Sequence, residues 1–432
     1  MLSARNRELL GLVPAALLVT GGFAAIFIQA DNRLSSVSLT YGGIFLALCL
    51  AGHLVIRRAL PHADPYLFPL AAALSSVGIV ELYRISPTLA RNQAQWLIVG
   101  LVLFSITIVA YRDGRYLRLE NYRYLIAIAG VGSLLLPRLP VIGGQVNGIY
   151  LAVHLGPISF QPSELGKIAI VIFLASYLRD NRQVLVTAGR RILGVTIPPM
   201  KQFGPLLLVW GSAMAMLLVT REIGTSLMFF GAFLALLYVA TGRFSFPFIG
   251  LILFALGAYY LGTHVGHINQ RVVAWEHPFN RKLYSTSNFQ LANSLFAQAD
   301  GGLLGVGFDQ SIINVGSTTL LPVADSDSIY AVITNEVGLV GAIGLLLAYL
   351  LFIARGLKIA TLARDSFSKL LATGLAFIIA LQVFVIVGGV TAVIPLTGVT
   401  LPFVAYGGSS VVMNFVLLAL LLLVSDRARR PA

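Results

Sequence analysis

Apolar runs of roughly 20 residues, broken by short polar connections, recur along the whole chain. Each is long enough to cross a bilayer as a helix. About twelve can be counted, near 9–30, 40–60, 66–84, 94–111, 122–137, 163–179, 203–220, 224–241, 246–263, 327–354, 367–390 and 404–424. They predict an all-α polytopic membrane protein with about twelve transmembrane helices, because a helix satisfies its own backbone where water is absent. Three connections break the rhythm. Residues 137–161 are rich in Gly and Pro and lead into Gln161-Pro162-Ser163-Glu164. Residues 264–326 form the largest extramembrane piece, and 391–410 are too rich in Pro, Gly and Thr for helix yet too apolar for a solvated loop. Non-helical backbone at membrane depth must be buried in protein or line a cavity. The second and third segments are therefore expected to pack together as re-entrant outer elements over an outward-facing cavity.

Composition agrees: 57% of the 432 residues are hydrophobic and 11% charged, where a soluble protein carries about a quarter charged. The net charge of +13 does not point to nucleic acid. The basic residues sit in short loops beside helix ends, where they set topology and meet anionic lipid heads. With the amino terminus placed inside, 21 of the 30 Lys and Arg fall on the inner side and eight on the outer, Lys167 lying within a span. That bias predicts both termini in the cytoplasm. The basic connection 179–203 reads as a lipid-facing interfacial segment. Cys49, the single cysteine, leaves no internal disulfide. The first apolar run is longer than a signal h-region and reads as a retained anchor.

Acidic residues are few, so their clustering is informative. A glycine-rich loop, Gly301-Gly302-Leu303-Leu304-Gly305-Val306-Gly307, is followed by Leu321-Pro322, Asp325 and Asp327, with Glu336 further into the next apolar run. Ionisable groups in membrane segments are functional candidates. Asp325 and Asp327 cannot share a helix face, so one is expected to cap the helix and Asp327 to point into the cavity, where a carboxylate partly removed from water can act as a general base. Glu336 lies nine residues on, about 2.5 turns, and is expected to bond a neighbouring helix. Glu164 and Lys167 are three apart and can pair, either as a structural contact or with Lys167, the lone cation in a span, facing an anionic group such as a phosphate. Glu222 is either a helix cap or part of the site. Glu81 and Arg84 read as a peripheral pair.

Other chemistries find no support. His264 and His267 are the only histidines at helical spacing and have no ligand-like neighbours, so no structural zinc is expected. The glycine run lacks the Lys-Ser/Thr ending of a P-loop. Without a nucleotide cofactor, a reaction must draw on an activated substrate, and outside a membrane that points to a lipid-linked phosphate or pyrophosphate sugar.

The motifs together resemble the SEDS family (shape, elongation, division and sporulation proteins, the group of RodA, FtsW and SpoVE). The likeness runs from about residue 65 to the carboxyl terminus, after two extra helices in 1–64. It is carried by Asn147-Gly148, Gly156, Gln161 to Glu164 and Lys167; by Glu222-Ile223-Gly224-Thr225; by Trp275, Pro278, Gln290 and the glycine run; by Leu321-Pro322, Ala324, Asp327, Glu336 and Gly338; and by Pro395, Thr397-Gly398, Leu401-Pro402 and Tyr406 to Ser410. Departures are Glu222 for the usual Asp, Leu151-Ala152 for Arg-Trp, and Val323 and Asp325 for Glu and His. A twelve-span form is similar to RodA-type members and favours elongation over division.

The resemblance implies a peptidoglycan glycosyltransferase that polymerises lipid II onto a glycan held on undecaprenyl pyrophosphate, with Asp327 as base. Glu164, Lys167, Asp325, Glu336, Gln161, Trp275, Gln290, Tyr406 and Ser409 would then line the substrate cavity. A divalent cation (Mg or Mn) or Lys167 would stabilise the leaving pyrophosphate, and a class B penicillin-binding protein would be the partner. The alternatives are a lipid II flippase and a non-catalytic scaffold for that partner.

Overall fold

The computed structural model describes residues 3–431 except 32–35, 140–141, 147–148, 156–157, 188–189, 193–194, 198–199, 221, 282–287, 309, 312 and 316–317. Asn147-Gly148 and Gly156 of the sequence motifs, and Arg33, Arg221 and Lys282 of the charge count, lie outside the described residues, as does the side chain of His267.

The chain runs through α1 (Ala4–Asp31), α2 (Ser36–Ala59), α3 (Leu67–Ile85), α4 (Pro87–Tyr111), α5 (Arg123–Ser133), the strands β1 (Gly143–Val146), β2 (Ile149–Leu155) and β3 (Ile158–Phe160), then α6 (Pro162–Thr187). It continues through β4 (Arg190–Ile192), β5 (Val195–Ile197), α7 (Met200–Thr220), α8 (Ile223–Thr241), α9 (Ser245–His264), α10 (Gly266–Glu276) and α11 (Phe289–Gly301). It ends with β6 (Asn314–Val315), β7 (Thr318–Thr319), α12 (Ile329–Leu362), α13 (Ser366–Val390) and α14 (Gly408–Arg429).

Each of the twelve predicted spans falls on a helix. Among the described residues, nine helices are long and apolar enough to cross a membrane. α5 has 11 residues, the described apolar stretch of α7 is the shorter 204–215, and α6 carries Glu164, Lys167, Arg179, Asp180 and Arg182, so these three fall short by length or polarity. The helix starts follow local chemistry. Pro87 opens α4, where its missing N–H is no loss, and the Asp365 carboxylate accepts the Ser368 N–H at 2.8 Å to cap α13. α13 and α14 are buried along most of their length and form the centre of the bundle.

Three findings differ from the sequence expectation. β1, β2 and β3 form a three-stranded antiparallel sheet in that order, where the sequence showed only a connection rich in Gly and Pro. The β-branched and aromatic run Ile149 to Leu155 is the signal for it. The basic connection after α6 contains a β4–β5 hairpin, and the interfacial reading of it falls largely on 186–200, whose side chains lie outside the described residues. Lastly, α12 is interrupted at Gly338, with φ +66°.

That interruption is spliced by the glycine-rich loop. The Val306 and Gly307 N–H groups donate to the Asn335 and Glu336 carbonyls at 2.9 and 3.1 Å, and the Leu339 and Val340 N–H groups donate to the Gly302 and Leu303 carbonyls at 3.0 and 3.2 Å. The loop therefore supplies the bonds that the broken helix lacks. The approach requires glycine: a Cβ on Gly305 would lie 2.0 Å from the Glu336 carbonyl oxygen, and one on Gly338 would lie 2.3 Å from the Gly305 nitrogen.

The end of the bundle bearing α10 and α11 is called the loop face below. There the second and third unusual segments do pack together. The Trp275 Nε1–H donates to the Ala392 carbonyl at 2.8 Å, Arg271 Nη1 donates to the Leu396 carbonyl at 3.0 Å, and the Tyr406 N–H donates to the Asp325 carbonyl at 2.8 Å.

Candidate active site

Residues 322–328 are a series of turns before α12 begins at Ile329. Neither Asp325 nor Asp327 caps the helix, since the capping position is Ser328 and no side chain bonds there. This corrects the expectation that one aspartate would serve as a cap; the turns carry both clear of the helix. Ser328 instead fixes the turns: its hydroxyl donates to the Pro322 carbonyl at 3.0 Å and accepts from Gln290 Nε2 at 3.3 Å. Gln290 thus reaches the site through Ser328.

Asp327 is half-buried. Gly398, with φ +75°, faces it so closely that a Cβ there would lie 3.3 Å from Asp327 Oδ2 and 3.8 Å from Arg271 Nη2. Asp327, Arg271 and the Gly398 backbone therefore meet at one point, built from three separate segments. Burial pushes the Asp327 carboxyl up to about 6; the Arg271 guanidinium opposes the rise and the Asp325 charge adds to it. Burial also raises Asp325 above the ordinary carboxylate range.

Arg271 was not singled out by sequence reasoning. Its signal was present, because Arg271 and Trp275 are four apart on α10 and so share a face. They bond Leu396 and Ala392, also four apart.

A second polar group lies deeper. Lys167 Nζ and Glu164 Oε2 pair at 2.7 Å, as the spacing predicted, and Lys167 also donates to Gln382 Oε1 at 3.1 Å. Lys167 is 3% exposed and Gln382 is fully buried. Glu222 occupies the capping position of α8 but makes no cap bond; burial pushes its carboxyl up to about 7, partly offset by Ser163, Thr225 and Gln161, while Glu164 adds to the rise. It belongs with the Glu164 group, so the cap reading is corrected.

The 397–400 segment ties the two groups together. Thr397 and Val399 press on Gly224 at the start of α8, and Gln382 Nε2 donates to the Thr400 carbonyl at 2.8 Å. Ser409 Oγ accepts the Gln161 N–H at 2.8 Å, and Gln161, Tyr406 and Ser409 line a cavity of about 570 Å³.

Glu336, 1% exposed, bonds a neighbouring helix as expected: Arg84 of α3 holds it at 2.6 Å. Glu81 and Arg84 are thus not peripheral, both being buried inside the bundle. Nor is Lys167 the lone cation, since Arg84 and Arg5 are also enclosed within helices. Arg84 and Glu336 are far apart in the chain and leave no local pattern in the sequence, whereas Arg5 pairs with Glu8, three residues on.

For a divalent cation, no three His, Cys, Asp or Glu among the described residues lie together as a ligand group. Asp325 and Asp327 supply two carboxylates, short of a protein-built cage.

Fold and site together define a polytopic helical membrane protein with its polar centre toward one end of the bundle. The family described as Cell cycle protein (FtsW, RodA, SpoVE) matches residues 66–430. The chain belongs to that family. It is 37% identical to the peptidoglycan glycosyltransferase RodA of Mycobacterium tuberculosis strain H37Rv, over 99% of this chain and 92% of that protein. It is 30% identical to stage V sporulation protein E of Bacillus subtilis, over 85% of this chain and 98% of that protein. Among solved structures, it resembles a chain of a peptidoglycan synthase complex that coordinates polymerization and crosslinking, with TM-score 0.68, 25% identity and coverage of 85% and 99% of the two chains. Thermus thermophilus RodA matches with TM-score 0.60 and 26% identity, over 86% of this chain and 98% of that one.

Proposed function

We infer that this protein is a peptidoglycan glycosyltransferase that polymerises lipid II onto a glycan carried by undecaprenyl pyrophosphate. The observation that carries the reading is the meeting of Asp327, Arg271 and Gly398, where a carboxyl pushed up to about 6 stands beside a fixed cation. Asp327 takes the proton from the acceptor GlcNAc 4-hydroxyl, whose oxygen attacks the donor MurNAc anomeric carbon. The bond to pyrophosphate breaks, and the α-linkage inverts to a β-1,4 link. Pyrophosphate is already a good leaving group, so no partner acid is required. Its charge needs a cation. Arg271 is better placed for this than Lys167, which is committed to Glu164 and Gln382. Two carboxylates suit a hydrated Mg²⁺ held mainly by substrate phosphates, which is the form in which a divalent cation fits these residues.

The loop face is extracytoplasmic and both termini are cytoplasmic in the bacterial inner membrane, on the charge bias of the connections. A class B penicillin-binding protein is the partner, on the likeness to the synthase complex. Elongation is favoured over division because the RodA relatives align over 99% of the chain, including the two additional helices, against 85% for the sporulation protein.

The buried Glu164, Lys167 and Glu222 group also suits a flippase for the same lipid. Detergent solution separates the two readings, since no bilayer remains to cross. Labelled lipid II fed to the solubilised complex yields glycan polymer if the protein is the polymerase. Translocation in liposomes with no polymer from the active, partner-bound complex would replace that reading with the flippase.

A further inference from the structure

The cavity of about 570 Å³ is walled on one side by Asn92, Gln95, Trp96 and Val99 of α4 and on the other by Thr400 and Tyr406 to Ser410. Its volume lies within the range of small-molecule sites, roughly 300–1,000 Å³. Among the described residues no charged side chain lines it; amides, hydroxyls, backbone and two aromatic rings share the wall with the aliphatic Val99 and Ala152. A pyrophosphate would be poorly held there, because anionic groups are recognised by fixed cations. A sugar fits the set. Its hydroxyls both donate and accept, matching amides that offer both functions, and its C–H face packs on an aromatic ring.

The walls are set in advance. Gln93, on the same turn of α4, donates to the Ala405 carbonyl at 3.0 Å and accepts the Gly407 N–H at 3.2 Å. Trp96 lies so close to Gly408 that a Cβ there would be 2.3 Å from the indole, so the ring is held in place. Among the described residues, by contrast, neither the Asn92 nor the Gln95 amide makes a hydrogen bond within the protein. The backbone facing them is fixed while their own donors and acceptors remain available. The cavity also adjoins the reacting centre: Tyr406 bonds Asp325 through its backbone, and Thr400 is two residues from Gly398.

We propose that this cavity is a saccharide subsite that holds an N-acetylhexosamine unit of the glycan next to the bond being made, with Trp96 as its stacking platform and Asn92 and Gln95 as its hydrogen-bonding groups. The identity of the ligand rests on the polymerase reading. The donor glycan, the acceptor and the product share this chemistry.

The test uses the full-length protein in detergent and a short soluble β-1,4-linked N-acetylglucosamine oligomer, followed by saturation-transfer NMR and intrinsic fluorescence. The wild type binds; Trp96→Ala weakens binding about tenfold; Trp96→Phe retains most of it; and Gln95→Ala, at an exposed position, weakens it without disturbing the fold. Sugar-free undecaprenyl phosphate binds the wild type and Trp96→Ala alike. Absence of oligomer binding to the wild type, or equal binding by Trp96→Ala, would overturn the subsite. A lipid that loses affinity with Trp96→Ala while the sugar does not would reassign the cavity to the lipid. Failure of the polymerase reading is seen separately, as loss of polymer from lipid II in samples that still bind the oligomer.

Discussion

At Asp327 the forces on one carboxyl oppose each other. Burial and Asp325 favour the protonated form, while Arg271 favours the charge, and the balance is near 6. In the proposed mechanism it acts in its deprotonated form, so polymerisation should rise with pH through about 6 and level off above it. Arg271→Gln removes the positive charge that favours the carboxylate, so the rising limb should move to higher pH, and the plateau should fall by about 10²- to 10³-fold from lost stabilisation of the leaving group. A rate profile of the variant superimposable on the wild type would remove Arg271 from the mechanism. Stability follows the same group. Because the folded value exceeds the unfolded one, its contribution is complete below about pH 4 and is lost as pH rises through about 6. Asp327 was legible in the sequence because a motif marks it and carboxylates are rare in this chain. For Arg271 the sequence offers only its spacing from Trp275; its bond to the Leu396 carbonyl spans 125 residues, and backbone groups leave no trace in composition.

The element that fixes the Asp327 turn relative to the bundle is the broken α12 with its glycine splice. Gly305 and Gly338 have positive φ and press on backbone, which cannot yield as a side-chain tip can. Gly305→Ala or Gly338→Ala should therefore lower the melting temperature of the solubilised protein by several degrees, each costing about 1–3 kcal/mol of backbone strain together with the overlap. Gly302→Ala is the control: its φ is +52°, yet nothing lies within 4 Å of the added carbon, so its shift should be smaller. Equal shifts for all three would mean that strain alone, not the splice, sets the loss. The twelve apolar stretches were readable because lipid demands length and apolarity. The kink was hidden, because Gly338 is one of three glycines in its stretch, with Gly341 and Gly344, and the cause of the break is a loop distant in sequence.

Across the whole molecule, an ionic junction at the end opposite the loop face ties the start of α3 to the ends of α12 and α14. Asp64 is fully buried, accepts from Arg355 Nη2 at 2.7 Å, and also pairs with Arg429. Asp64→Ala leaves both arginines without their shared partner and should cost about 3–5 kcal/mol, read as a lowered melting temperature; an unchanged value would show that water replaces the carboxylate there. Orientation is tested at the same scale. Cys49 is buried, so its background is low. A cysteine placed at exposed Phe279 should react with a membrane-impermeant thiol reagent from outside intact cells, and one at Pro431 should not. The reverse pattern would invert the topology. The basic residues predict the side of each connection but not which connections touch, because the partners of Asp64, Arg355 and Arg429, lie hundreds of residues away in the chain.

The central claim is that Asp327 is the base of a glycan polymerase. Its most direct test is gel analysis of labelled lipid II incubated with the protein and its class B penicillin-binding partner, with crosslinking blocked by penicillin. Asp327→Asn and Asp325→Asn are run beside the wild type. The account predicts glycan ladders from the wild type and from Asp325→Asn, and a loss of about 10²-fold or more with Asp327→Asn in a complex that still assembles. Ladders of wild-type intensity from Asp327→Asn would contradict it.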